Sequence, residues 1–212
     1  MSQEEHVLVI PASVIDAIGT ISGFESNVDR FLHPILSSEE LSYQPRGPME
    51  VDPSFKQLIP YVILEHRSDA DEIALFVYTR GGGGGEKRLH AKRSLGIGGH
   101  ISQEDGAVGA DAYSAGMQRE LAEEIRLDSE YTETLEGLIY DPSSEVGRVH
   151  LGVVHRFVLQ APDVASNEDD LAEGGFMSLN QIWSDRERLE TWSRLALEAL
   201  YGEYVTQASA TS

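Results

Sequence analysis

Apolar and polar residues follow two rhythms along this chain, and each predicts its own kind of element. Short apolar runs bounded by Pro, Gly and polar residues span His6 to Ile10, Leu58 to Leu64, Ile73 to Tyr78, Leu135 to Tyr140 and Val149 to Leu159. Runs of this length, rich in β-branched and aromatic residues, predict strands. The second and third read as one hairpin and the last two as another, with Pro142 and Gly147 in its turn. Helical spacing predicts a short helix over Asn27 to Leu36, a second at Arg119 to Glu124 and an amphipathic closing helix from Trp183 to Tyr204. Hairpins outnumber crossovers, which predicts an α/β (α+β) domain with a mixed sheet held between helices.

Length adds the domain plan. A chain of 212 residues suits one core with a terminal extension. Residues 1–56 read as an N-terminal extension without recognisable chemistry, residues 57–204 as the main domain and residues 205–212 as a frayed tail. The extension is expected to cover one side of the sheet or to mediate a homodimer.

Charge and cysteine narrow the function classes. Acidic residues number 36 against 16 basic ones, for a formal charge of −20. Such a field repels nucleic acid polymers and anionic membrane surfaces, but it admits a small phosphorylated molecule arriving with a cation. The chain has no cysteine, so disulfides, thiolate catalysis and thiolate zinc sites are excluded. An acidic start and the lack of a long apolar run lead to the expectation of a soluble, cytoplasmic protein.

The most informative stretch is Arg119-Glu120-Leu121-Ala122-Glu123-Glu124. On a helix Glu120, Glu123 and Glu124 stand at i, i+3 and i+4 and project from one side. Like charges so spaced cost a helix roughly 0.2–0.5 kcal/mol per pair. A hard divalent cation reverses that penalty, because Mg²⁺ takes carboxylate oxygens and leaves positions for water and phosphate. The competing reading is a solvated face of an acidic protein, against which Arg119 and the upstream Gly98-Gly99 weigh.

These residues resemble the Nudix hydrolase signature, G-x5-E-x7-R-E-U-x-E-E-x-G-U with U apolar. The match runs from Gly99 through Asp105 to Arg119-Glu120-Leu121 and Glu123-Glu124, ending at Leu127. Three departures stand out. Asp105 replaces the first glutamate, six extra residues precede Arg119, and Arg126 replaces the last glycine. The extra residues fall within Gly106 to Gly116, whose small side chains predict a lengthened, mobile loop before the helix. With no glycine at Arg126, the helix is expected to run on toward Leu127 and Asp128. Asp52 to Tyr61, Glu86 to Lys92 and Val149 to His155 carry a further likeness to bacterial Nudix-type predicted phosphoesterases.

The resemblance implies an α/β/α sandwich and Mg²⁺- or Mn²⁺-dependent hydrolysis of a small-molecule organic diphosphate. It implies Glu120, Glu123 and Glu124 as metal ligands, with Glu120 also orienting or deprotonating the attacking water. It adds the Gly99 carbonyl as a ligand and Arg119 as the residue that orients a glutamate. Asp105 is expected to support its loop. A late-loop acid joins the metal site in some Nudix enzymes, and Asp170 is the candidate by its spacing before Phe176 to Leu179. Isopentenyl diphosphate isomerases are similar in fold and share a Gly-Gly-His like Gly98-Gly99-His100, but their chemistry needs a cysteine. The alternative to an enzyme is a non-catalytic Nudix module that senses a nucleotide or sugar diphosphate.

Outside the signature, Lys87, Arg88, His90, Lys92 and Arg93 reverse the local charge just before Gly98-Gly99. Arg88, His90, Lys92 and Arg93 are the candidates for substrate phosphates, Arg93 first because it is nearest in sequence to that turn. The competing reading is a solvated edge strand. The run Gly81 to Gly85 lacks the Lys-Ser/Thr ending of a phosphate loop and reads as a flexible turn. His150 and His155 fall on opposite faces of their strand and read as packed, hydrogen-bonded histidines.

Overall fold

The computed structural model describes residues 4–80, 92–167 and 171–210. In chain order the elements are β1 (His6–Pro11), α1 (Ala12–Ile18), β2 (Gly23–Glu25), α2 (Val28–Leu36), β3 (Ser42–Pro45), α3 (Arg46–Met49), β4 (Phe55–Arg67), β5 (Ile73–Arg80), β6 (Arg93–Ser94) and β7 (Gly96–Ile97). They continue with a 3₁₀ turn (Gln103–Asp105), α4 (Ala110–Glu124), β8 (Ile125–Leu127), β9 (Tyr131–Tyr140), β10 (His150–Leu159), β11 (Val164–Ser166), β12 (Leu171–Ser178), α5 (Leu179–Ser184), a second 3₁₀ turn (Arg186–Arg188) and α6 (Thr191–Ala210). The fold is mixed α/β with a mixed sheet, the class the hydrophobic pattern predicts. Among the described residues no helix is long and apolar enough to cross a membrane.

Two compact units divide the chain. The first comprises Met1–Tyr61, Gly98–Glu120 and Glu136–Val154. Here β1 pairs antiparallel with β3 and with the start of β4, so the N-terminal segment contributes a strand of its own. At the other edge β2 pairs antiparallel with β9, Phe24 opposite Ile139. Val7, Val9 and Met49 form a buried cluster closed by Phe55. Asn27 caps α2 by accepting from the Arg30 N–H, and Phe31, Leu32 and Ile35 bury its apolar face.

The second unit comprises Val62–Ile97, Leu121–Leu135 and His155–Ser212. Its strand order is β12-β5-β4, both pairings antiparallel, with β6 on β5 and β7 on β4. A two-stranded ladder joins β8 to β11. Glu65, fully buried on β4, accepts from Arg67 (2.6 Å), Arg156 (3.3 Å) and the Tyr201 hydroxyl (2.7 Å). Three donors offset the desolvation that would make a lone buried carboxylate untenable.

The structure departs from the sequence reading at three places. Most of the stretch expected to form a loop is helix: α4 begins at Ala110, so only Gly106 to Gly109 separates it from the preceding 3₁₀ turn. Ala112, Tyr113, Met117 and Leu121 give that helix a buried face, which the small neighbouring residues hid from view. At its other end α4 stops at Glu124 and the chain passes straight into β8, where extended backbone makes a terminating glycine unnecessary at Arg126. The closing helix is two helices, broken where the Glu190 carboxylate accepts from the N–H groups of Trp192 (2.8 Å) and Ser193 (2.7 Å) and starts α6 afresh. That helix then continues to Ala210.

Candidate active site

Within the first unit the segment after β7 meets α4 through two glycines that no other residue could replace without displacement. Gly98 has φ of +154°, and a Cβ there would strike the Pro60 carbonyl, its carbon at 2.9 Å. A Cβ on Gly99 would drive into the carboxylate of Glu120, 2.5 Å from its Cδ. Gly99 thus leaves room for a carboxylate directly against the backbone.

Arg119 fixes that arrangement. Its Nε and Nη2 donate to Asp105 Oδ1 (2.7 Å) and Oδ2 (3.0 Å), and its Nη1 donates to Glu120 Oε1 (2.8 Å). Nη2 also reaches the His100 carbonyl (3.0 Å). One planar guanidinium therefore ties the loop, the carboxylate and the backbone beside Gly99 together, which a lysine cannot do. Asp105 in turn accepts from the Ser102 N–H (2.7 Å) in a capping box. Burial pushes the Asp105 carboxyl upward, but hydrogen bonds from Arg119 and Ser102 outweigh it and hold the group below its ordinary value. The Asp105 bond is also the largest influence raising Arg119. The bonds of Asp105 are those of a loop support.

Glu123 and Glu124 occupy the last turn of α4, Glu123 exposed and Glu124 half-buried. The Glu124 carbonyl accepts from the Asn167 N–H (2.9 Å), and Asn167 also donates to Ala122, closing the helix end. In the second unit Lys92 is exposed, and Arg93 lies 3.6 Å from Asp185 and 3.8 Å from the Met177 sulfur. The pocket beside Arg93 holds about 100 Å³, below the roughly 300–1,000 Å³ of small-molecule sites. Lys87, Arg88, His90, Asp170 and the run Gly81 to Gly85 lie outside the described residues.

His155 Nδ1 lies 2.8 Å from Glu133, and burial, partly offset by that carboxylate, lowers its pKa. One constellation escaped the sequence reading. Glu50, His100 and His150, all in the first unit, bring their ligand atoms within 4.8 Å of one another. Burial above all, then Arg46 and His150, pushes His100 down to about 3. Fifty residues separate each member from the next, so no local spacing marks the group; only the histidine after Gly98-Gly99 hinted at it.

No family model matches the chain. Protein YmaB of Bacillus subtilis (strain 168) is 37% identical over 208 residues, covering 93% of this chain and 98% of that protein. The crystal structure of Tm1382, a candidate Nudix hydrolase, superimposes with a TM-score of 0.77 at 28% identity, covering 93% of this chain and 98% of Tm1382. The Nudix domain of Shewanella oneidensis NrtR, crystallised with ADP-ribose, shares the fold at a TM-score of 0.51 and 12% identity over 71% of this chain and 88% of that domain. Because the Tm1382 and YmaB matches run nearly end to end and are not confined to the glutamate helix, the chain belongs to the Nudix hydrolase family.

Proposed function

We propose that the protein hydrolyses the diphosphate bond of a nucleoside diphosphate derivative or another organic diphosphate, using Mg²⁺ or Mn²⁺ held by Glu120, Glu123, Glu124 and the Gly99 carbonyl. The observation that carries this reading is the fit of Glu120 against Gly99, where a Cβ would occupy the carboxylate's place. An all-oxygen donor set suits a hard cation, and three carboxylates at i, i+3 and i+4 of α4 supply it. Bound there, such a cation neutralises phosphoryl oxygens and makes a coordinated water more acidic.

The chain's own residues supply the rest. Arg119 holds Glu120 in one rotamer through its 2.8 Å bond, so the carboxylate meets the attacking water without reorganising. Glu120 then accepts that water's proton. Gly98 and Gly99 leave the backbone bare where phosphate approaches. Arg93 steadies a substrate phosphate, its guanidinium shared only loosely with Asp185 at 3.6 Å.

Glutamine at position 123 or 124 keeps the shape of the side chain and removes the anionic ligand. Glu123→Gln and Glu124→Gln are each expected to abolish turnover of an ADP-ribose-type substrate while circular dichroism stays native. Full activity of both variants at saturating Mg²⁺ would overturn the assignment.

A further inference from the structure

The Glu50, His100 and His150 constellation shares no ligand with the acidic face of α4 and has a different donor chemistry. We propose that it is a second cation site, selective for Zn²⁺ or a similar borderline-soft divalent ion, which clips the N-terminal segment to the core of its unit.

The separations of His100 from its two partners suit a tetrahedral ion. His100 Nε2 and His150 Nε2 stand 3.3 Å apart, and His100 Nε2 lies 3.7 Å from Glu50 Oε1. With metal–nitrogen bonds of about 2.05 Å, a 3.3 Å separation corresponds to an angle of about 107°, close to tetrahedral. The 3.7 Å separation corresponds to about 126° with a metal–oxygen bond of about 2.1 Å, within reach of small side-chain adjustment. Two imidazoles and one carboxylate with a fourth position for water form a recognised zinc donor set, whereas Mg²⁺ prefers oxygen alone.

The surroundings orient the ligands as a metal site requires. The Val146 carbonyl, 2.8 Å from His150 Nδ1, can only accept, so Nδ1 carries the proton and Nε2 offers its lone pair to His100. The His100 backbone is fixed by Arg119 through its carbonyl. Glu50 caps the C-terminus of α3, and Arg46 Nε donates to its Oε1 at 3.2 Å. A carboxylate oxygen has two lone pairs and can keep that bond while binding an ion. Arg46 is also paired with Glu5 at 2.8 Å, so Glu5 and Glu50 together leave one negative charge to receive the cation.

In the metal-free protein the 3.3 Å contact is an Nε2–H bond from His100 to His150. On binding, that bond gives way to two nitrogen–metal bonds, and His100 carries its proton on Nδ1. The ion would join residue 50, residue 100 and the first residue of β10.

Co²⁺ titration followed by visible absorption distinguishes this site from the carboxylate face, because four-coordinate Co²⁺ absorbs far more strongly than an octahedral oxygen-ligated ion. The wild-type protein and Glu123→Gln should both develop intense d–d bands with a single equivalent, and Zn²⁺ should displace them. His150→Ala and Glu50→Gln should weaken Zn²⁺ binding by at least about 100-fold, since changes behind the ligands alone already cost 10–100-fold. Zn²⁺ should raise the melting temperature of the wild type and not of Glu50→Gln. Glu50 is half-exposed, so that variant decides the matter even if His150→Ala folds poorly. Absence of intense bands in the wild type, or their retention in Glu50→Gln with unchanged affinity, would overturn the proposal.

Discussion

Gly99→Ala separates the chemistry of the site from its stability. The added methyl would lie 2.5 Å from Cδ of Glu120, where about 3.4 Å is the ordinary limit, so the carboxylate must retreat by about 1 Å. Glu120 is the far end of a flexible side chain, and its retreat need not move the backbone. The stability cost is then the 2.8 Å bond from Arg119, a partly exposed ion pair worth about 1 kcal/mol after screening. For a chain of this size that lowers the melting temperature by roughly 2–4 °C. Catalysis should suffer more, because a misplacement of about 1 Å in a catalytic constellation can cost on the order of 10²-fold. Steady-state kinetics over a Mg²⁺ titration, run beside thermal melts, measures both. A variant with kcat/KM and Mg²⁺ dependence within twofold of the wild type would refute the placement of Glu120 at the metal.

Arg119→Lys loses the fork that spans Asp105, Glu120 and the His100 carbonyl; melting should report a loss of about 2–4 kcal/mol, and an unchanged melting temperature would remove Arg119 from that role. Arg93→Ala should lower kcat/KM by about ten- to a hundredfold and Arg93→Lys should recover part of it, each 1.4 kcal/mol being a factor of ten; unchanged kinetics at two salt concentrations would return Arg93 to a surface role. His155, its folded pKa lowered by burial, resists a proton that the unfolded chain accepts below about 6.5, so stability rises with pH through that region and is lost as pH falls below it. His155→Gln should flatten that acid limb of a melting-temperature profile, and an unaltered limb would assign the loss to other groups.

What the sequence made legible was what local chemistry enforces. Leu58 to Leu64 reads as a strand because it is apolar on both faces, and every residue from Lys56 to Glu65 is buried. Asn27 announces α2 by its capping oxygen. The Arg119 to Glu124 run shows its helix, its carboxylates and the arginine's bond to Glu120 because all lie within one element. Elements held by pairing instead of propensity were less visible: β2 has three residues and β3 four, each existing through its partner strand. The start of α4 was missed because Gly, Ala and Ser dilute the four-residue recurrence of Tyr113, Met117 and Leu121. The Glu50, His100 and His150 group was invisible for a different reason, since three segments distant in sequence each contribute a single ligand.

The most direct test of the account is product analysis on a panel of organic diphosphates, ADP-ribose and nucleoside diphosphate derivatives among them, with Mg²⁺, with Mn²⁺ and with chelator. The account predicts cleavage of the diphosphate bond of at least one member, dependent on the cation and absent in a folded Glu124→Gln variant. Cleavage that persists in chelator, or proceeds equally in Glu124→Gln, would contradict it.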